Sequence, residues 1–384
     1  VKIVADSNIP LLAQAFGPLG DVAALPADRL TPEAVRQADA LLVRSVTRVN
    51  PGLLEGSRAR FVATATIGVD HIDQAYLESH GIGFASAAGS NARSVAEYVL
   101  AALTILAERG RWHLRDKTLG IVGCGNVGGR LAKLAQATGL RILLNDPPLA
   151  RQTGDPRYLP LEALAEADIV TFHVPLLREG PDATYHMINR RLLAMLRPGA
   201  VVINTSRGSV ADPAALIEGR SSGRIGSLVL DVWEGEPNID PALLERVTLA
   251  TPHVAGYSYD GKVNGTRMIL EALCRHFGLQ RTWDPEPLMP PPARPRVRLQ
   301  AGVGLDVALR QAIASSYDIE ADDRRLREIA RQPADRRGKF FSDLRKNYPV
   351  RREFASHTVE LEAAAPEVKT VLKNLGFTVK EVTP

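Results

Sequence analysis

The chain has 384 residues, enough for two or three domains, and its 45% apolar and 23% charged content is that of an ordinary globular protein. No apolar run is long enough to cross a membrane and no secretory signal opens the chain, so no membrane partner is expected and the cytoplasm is the default location. The net charge of +4 is unevenly spread: residues 322–352 hold nine Arg and two Lys against five acids, which leaves the remainder slightly acidic and points away from a general nucleic-acid surface.

Residues 1–90 repeat a strand–helix rhythm. Strands are expected at Lys2–Ala5, Ala40–Val43, Phe61–Thr64 and Gly83–Ala85, the pattern of a small α/β domain with a mostly parallel sheet. Ligands of such sheets bind beyond the carboxyl ends of the strands. Two of those ends, Arg44-Ser45 and Thr64–Gly68, carry hydroxyls, backbone N–H groups and one Arg. That set suits a phosphate or carboxylate, and equally suits ordinary turn chemistry. Ser94–Arg109 reads as a long apolar helix that runs into the next unit.

The stretch from Lys117 to Asp146 is a strand–turn–helix–strand unit. An apolar run, Leu119–Val122, precedes Gly123, Gly125 and Gly128 in the spacing G-x-G-x-x-G, and Val127, Leu131, Leu134 and Ala135 then recur at helical spacing. The three glycines serve a tight turn, backbone approach to a pyrophosphate and close helix–strand packing, while the helix N-terminus faces the phosphates. Asn126 and Val127, between the second and third glycines, complete the loop. Asp146, at the end of the second strand, can accept hydrogen bonds from the ribose hydroxyls and repels a 2′-phosphate, which favours NAD over NADP. Cys124 sits inside the glycine turn and Cys274 is the only other cysteine, so neither a structural disulfide nor a cysteine metal site is expected.

The doubly wound pattern continues through residues 147–256, with strands at Ala167–His173, Ala200–Asn204, Ser227–Asp231 and Thr248–Ala250. Tyr259–Phe277 reads as a helix returning to the first domain, residues 286–298 as a proline-marked linker, and residues 299–384 as a third segment of strands and helices. Three loops follow strands of the nucleotide domain: Asn204–Gly208, Asp231–Pro237 and Thr251–Gly256. In them, His253 has the side chain suited to taking a hydroxyl proton near neutrality. Glu236 would orient that imidazole and stabilise its charged form, and Arg207 would hold a substrate carboxylate in a bidentate fork. Asp231 would reach the nicotinamide end of the cofactor. No His spacing suits a metal.

The succession G-x-G-x-x-G, N-T-S-R-G, D-V-W-E-G-E-P and T-P-H-V-A-G-Y resembles the D-isomer-specific 2-hydroxyacid dehydrogenases. Val43–Thr47, Ala63–His71, Leu230–Pro237, His253–Tyr257, Asp343–Tyr348 and Arg351–Glu353 are similar to a branch of that family with a C-terminal dimerisation domain. The resemblance implies an α/β fold of two doubly wound parallel-sheet domains plus an α+β third. These would be a flavodoxin-like substrate domain (1–92 and 257–285), a Rossmann NAD domain (93–256) and a dimerisation domain (286–384). It implies Arg207 and Glu236 as active-site residues with His253 as acid/base, and Ser45, Thr66 and Tyr257 as substrate contacts. Asp146, Ser206, Arg207, Asp231 and Gly256 match cofactor contacts, and Val174 stands where the family usually has Thr. The implied reaction is NAD-dependent oxidation of 4-phospho-D-erythronate to 2-oxo-3-hydroxy-4-phosphobutanoate, in pyridoxine and pyridoxal phosphate biosynthesis, by a homodimer. A related activity such as 3-phosphoglycerate oxidation would use the same residues, and a corepressor-like NAD-sensing scaffold uses the same fold. The arginine-rich tail reads as a solvated face, as a source of a substrate-phosphate contact in the partner's cleft, with Arg345 the named candidate, or as a nucleic-acid patch.

Overall fold

The computed structural model describes residues 1–363 and 365–382. The chain divides into two compact units, residues 1–92 with 258–290 and residues 93–257 with 291–384.

In the first unit, β1 (Lys2–Asp6), β2 (Asp21–Leu25), β3 (Ala40–Val43), β4 (Phe61–Thr64) and β5 (Gly83–Ser86) form a parallel sheet in the order β2-β1-β3-β4-β5. This is the flavodoxin-like order. β3 and β4 are buried along their whole length, as expected for apolar strands covered on both faces. β2, which periodicity does not reveal, is an edge strand of sequence DVAAL with no fully buried residue. The Tyr259–Phe277 helix starts at Ser258, whose side chain accepts the Gly261 N–H, and stops at Gly278 in the left-handed conformation. Its Ile269, Leu270 and Leu273 share one apolar cluster with Ile3, Ala5, Leu42 and Phe61.

The second unit holds β6 (Thr118–Val122), β7 (Arg141–Asn145), β8 (Ile169–Phe172), β9 (Ala200–Asn204), β10 (Ile225–Leu230) and β11 (Leu249–Ala250) in the order β11-β10-β9-β8-β6-β7, all parallel. A Rossmann sheet normally carries a further strand outside β7. Here that place is taken by a single parallel bridge, Leu144 to Tyr158, tied by the Leu159 N–H to Leu144 carbonyl bond of 2.7 Å. The chain reverses direction across the sheet between β6 and β8, so the crevice at their carboxyl ends is the switch point where ligands bind in this architecture.

The tail adds a second, parallel sheet, β12 (Arg296–Leu299), β13 (Thr358–Glu362) and β14 (Thr378–Val382) in that order. This C-terminal α+β domain falls within the second compact unit. The reason is a shared core. Leu299, Leu309, Ile313, Phe354 and Leu372 belong to the same buried cluster as Val95, Val99, Leu103 and Leu106 of the Ala92–Gly110 helix. The apolar face of that helix is covered from both sides, and neither the proline-marked linker nor the change in charge signals this.

Candidate active site

β6 is fully buried and delivers the glycine loop to the carboxyl edge of its sheet. Gly123 has φ +84°, and a Cβ there would lie 2.6 Å from the His173 carbonyl oxygen and 2.8 Å from Val174 Cγ1. At Gly128 a Cβ would lie 2.0 Å from the Gly123 carbonyl oxygen, so helix and strand touch only because both positions lack one. At Gly125 a Cβ would meet nothing within 4 Å. The Asn126–Ala137 helix starts there with no side-chain cap, so no capping side chain takes up its first amides, those of Asn126 and Val127 included. Asp146 completes the unit: its carboxylate accepts the Cys124 N–H at 2.7 Å and the Leu149 N–H at 3.0 Å. Lone pairs remain on both oxygens for ribose hydroxyls. The loop therefore has the close-approach glycines and the acid that a dinucleotide would need. Val174 offers only an apolar side chain beside Gly123.

Three further loops leave the same edge, because β9, β10 and β11 run parallel to β6. Asn204, buried at the end of β9, accepts from the Ser206 N–H (3.0 Å) and hydroxyl (2.7 Å) and donates to the Arg207 carbonyl (2.9 Å). The turn is thereby fixed, and the Arg207 guanidinium donates back to the Ser206 carbonyl at 2.8 Å. Gly208 presses on the next loop: a Cβ there would lie 2.0 Å from the Trp233 carbonyl carbon and 2.3 Å from the Glu234 nitrogen. Arg207 is thus set against the loop that carries Glu236. Within that loop Glu236 accepts the Trp233 N–H at 3.2 Å, and the Trp233 indole donates to the Thr251 carbonyl at 2.9 Å.

His253 follows β11 with φ +58°, a left-handed conformation that costs a non-glycine residue about 1 kcal/mol or more. Its backbone N–H donates to the Asp231 carbonyl at 2.7 Å. Its Nδ1 meets Glu236 Oε1 at 2.5 Å, which leaves Nε2 as the atom available to substrate. Burial works to raise the Glu236 pKa, but the bond to His253 and the charges of His253 and Arg345 outweigh it and hold the carboxyl below its ordinary range.

Asp231 is 1% exposed, and burial pushes its pKa up despite the nearby His253. Its oxygens accept from the Thr251 hydroxyl (2.6 Å) and from the Val254 (2.7 Å) and Ala255 (2.9 Å) amides, so its visible work is to hold the His253 turn. His173, at the end of β8, is bracketed by the Thr171 and Thr205 hydroxyls at 3.0 and 3.1 Å, and desolvation carries its pKa down to about 3. It is a neutral imidazole beside the glycine loop that sequence reasoning used only as a turn marker. Gly256 and Tyr257 follow the His253 turn, and the Arg345 guanidinium lies 5.6 Å from the Tyr257 ring. The tail arginine thus stands in its own chain's second unit, close enough to act on Glu236. Among the other tail arginines, Arg331–Glu328 and Arg324–Asp318 are exposed pairs, as a solvated face would form, whereas Arg351 and Arg352 are buried.

Ser45 and Thr66 belong to the first unit, just past the ends of the adjacent strands β3 and β4. The Thr66 hydroxyl lies 2.7 Å from that of Thr64, which in turn lies 3.1 Å from His71 Nε2. Burial lowers the His71 pKa, so a neutral ring backs this loop. The V-D-H triplet after Thr66 was the available signal for it.

The model for the NAD-binding domain of the D-isomer specific 2-hydroxyacid dehydrogenases matches residues 101–255, and a domain of unknown function (DUF3410) matches residues 288–376. NAD-bound 3-phosphoglycerate dehydrogenase of Entamoeba histolytica shares the fold, with a TM-score of 0.61 at 24% identity over 72% of this chain and 95% of that one. An erythronate-4-phosphate dehydrogenase of Salinibacter ruber is 48% identical over 380 residues, 96% of each chain. One of Marinobacter nauticus is 46% identical over 381 residues, 98% of this chain and 99% of its own. The chain belongs to the erythronate-4-phosphate dehydrogenase family, a group of NAD-dependent D-isomer-specific 2-hydroxyacid dehydrogenases.

Proposed function

We propose that this protein oxidises 4-phospho-D-erythronate to 2-oxo-3-hydroxy-4-phosphobutanoate, as a step in pyridoxine and pyridoxal phosphate biosynthesis. The observation that carries the reading is the 2.5 Å His253–Glu236 bond on a pinned turn, at the same sheet edge as the glycine loop. Bound NAD supplies the hydride acceptor for the hydrogen on C2. His253 Nε2 takes the proton of the 2-hydroxyl while the C2–O bond becomes a carbonyl. Glu236, ionised at neutral pH, fixes the ring through Nδ1 and stabilises the imidazolium that results. Arg207 holds the substrate carboxylate in a bidentate fork and draws charge from the developing carbonyl.

The substrate contacts in this proposal are Ser45, Thr66 and Tyr257, with Arg345 supplying a positive charge beside Tyr257. The cofactor contacts are Gly123, Gly125, Asn126, Val127, Gly128, Asp146, Val174, Ser206, Arg207, Asp231 and Gly256. The proposal also takes the protein as a cytoplasmic homodimer paired through the tail. Two buried, unbridged thiols, Cys124 and Cys274, support the compartment. Among the described residues no helix is long and apolar enough to cross a membrane.

The test is absorbance at the NADH wavelength with protein, NAD and 4-phosphoerythronate, run beside 3-phosphoglycerate and lactate. Turnover confined to phosphoerythronate is expected. Preference for another acid would keep the mechanism and discard the substrate, and bound NAD without turnover on any acid would favour a cofactor-sensing scaffold.

A further inference from the structure

The tail grips the segment that carries His253 on both sides of the turn. β11 is a two-residue edge strand, and the Ala250 N–H on its outer side donates to Asp323 Oδ1 at 2.8 Å. Arg327 holds that carboxylate through Nε at 2.9 Å and donates from Nη2 to the Val247 carbonyl at 2.8 Å, just before the strand. Past the turn, the Ala255 carbonyl accepts from Arg351 Nη2 at 2.5 Å and from the Ser94 hydroxyl at 2.8 Å, and the same Arg351 nitrogen also bonds the Ser94 oxygen. Arg351 is 8% exposed, with its guanidinium carbon 4.2 Å from the Tyr317 ring centre. Tyr317 and Tyr348 are themselves held by one oxygen of the buried Asp322, at 2.8 and 2.7 Å. Residue 255 is therefore clamped at both polar groups, its N–H by Asp231 and its carbonyl by Arg351.

We propose that Asp323 and Arg351 are positioning residues for the acid/base, so that the tail sets the His253 turn within its own chain, apart from any part it plays in pairing subunits. The need for such a clamp lies in the turn itself. His253 sits at positive φ and β11 offers only two residues of pairing, so local structure alone does not hold the imidazole against Glu236. Misplacing a catalytic group by about 1 Å can cost on the order of 100-fold in rate.

The inference uses the reading of His253 as acid/base, but its decisive test does not depend on turnover. In the full chain, Arg351→Met and Asp323→Ala should raise the amide exchange rates of Val254 and Ala255 at least about tenfold, with Arg351→Lys restoring most of the protection. On activity, kcat should fall about 30- to 100-fold while the Kd for NAD, measured by calorimetry, stays within about threefold. The kcat–pH profile should change shape, because the His253–Glu236 contact that holds the Glu236 carboxyl low is loosened. Arg331→Ala, whose side chain is 79% exposed, serves as the tail control and should change none of these. Should Arg351→Met not fold, Asp323→Ala alone carries the comparison. Unchanged exchange at residues 254 and 255 and an unchanged pH profile, with only a lower Tm, would overturn the proposal. A wild-type protein with no turnover would remove the assigned reaction and leave the exchange result to decide the clamp.

Discussion

Two His–Glu pairs hang from a single loop of this protein. Glu234 meets His186 at 3.0 and 3.1 Å, and Glu236 meets His253 at 2.5 Å. Both histidines have positive φ, +48° and +58°, and the side chains of the two pairs are similarly exposed, 31% and 30% against 29% and 23%. Residue types, contact and exposure do not separate them. Anchorage does. His186 stacks on Tyr185, which is 40% exposed and is covered by Arg178 at 4.8 Å, a solvated stack on a surface loop. His253 sits between Asp231, which takes the two amides after it, and the tail, while Glu236 is tied to its own loop and feels Arg345. In the proposed reaction the pair that counts is the one whose histidine follows directly on a strand, at the sheet edge that carries the glycine loop.

The strongest challenge to that distinction is a pair of substitutions. His253→Ala should lower kcat by about 10^3-fold, the range expected for loss of an acid/base. His186→Ala should stay within about threefold of wild type, and equal losses would erase the difference drawn above. Arg207→Lys should lower kcat/KM by about 10^2-fold, since an ammonium cannot reproduce the bidentate fork. Retained efficiency would detach Arg207 from the substrate carboxylate. Asp146→Ala should weaken NAD binding by about tenfold, the worth of roughly one hydrogen-bonded contact. It should also cost about 1 kcal/mol of stability through the lost cap of the Pro147–Thr153 helix. An unchanged Kd would leave Asp146 as a cap alone.

The smallest expected effect concerns a third histidine. His173 is neutral in the fold, with its pKa depressed to about 3, whereas an unfolded His titrates near 6.5. Between those values the unfolded chain binds the extra proton, so this residue makes stability fall as pH drops through that window. A His173→Gln variant should show a flatter Tm against pH from about 6.5 downward, and a slope identical to wild type would mean that His173 is not held neutral.

Much of the fold could be read because its signals are local. The Tyr259–Phe277 helix carries its own cap and stop, and the buried strands β3, β4 and β6 are continuous apolar runs. β2 escaped because a short alanine-rich edge strand has no periodicity to show, and the missing outer strand of the nucleotide sheet escaped because a single bridge leaves no pattern. The three loops of the site were legible through residue chemistry placed just after strands. His71 and His173 were less so, because their neutrality comes from burial rather than from neighbours in sequence.

By itself, then, the sequence determined the glycine loop, the acid after the second strand, and the succession of Arg207, Glu236 and His253 at strand ends. Each depends on spacing within a few residues or on the alternation of strand and helix. Only the tertiary structure decided that the tail joins the nucleotide unit, that Gly208 sets the Arg207 loop on the Glu234 backbone, and that Asp323 and Arg351 meet the His253 segment. The last two contacts join residues about 70 to 100 positions apart along the chain. They arise from a core shared across the linker, and no local pattern encodes which distant charge will find a given backbone carbonyl.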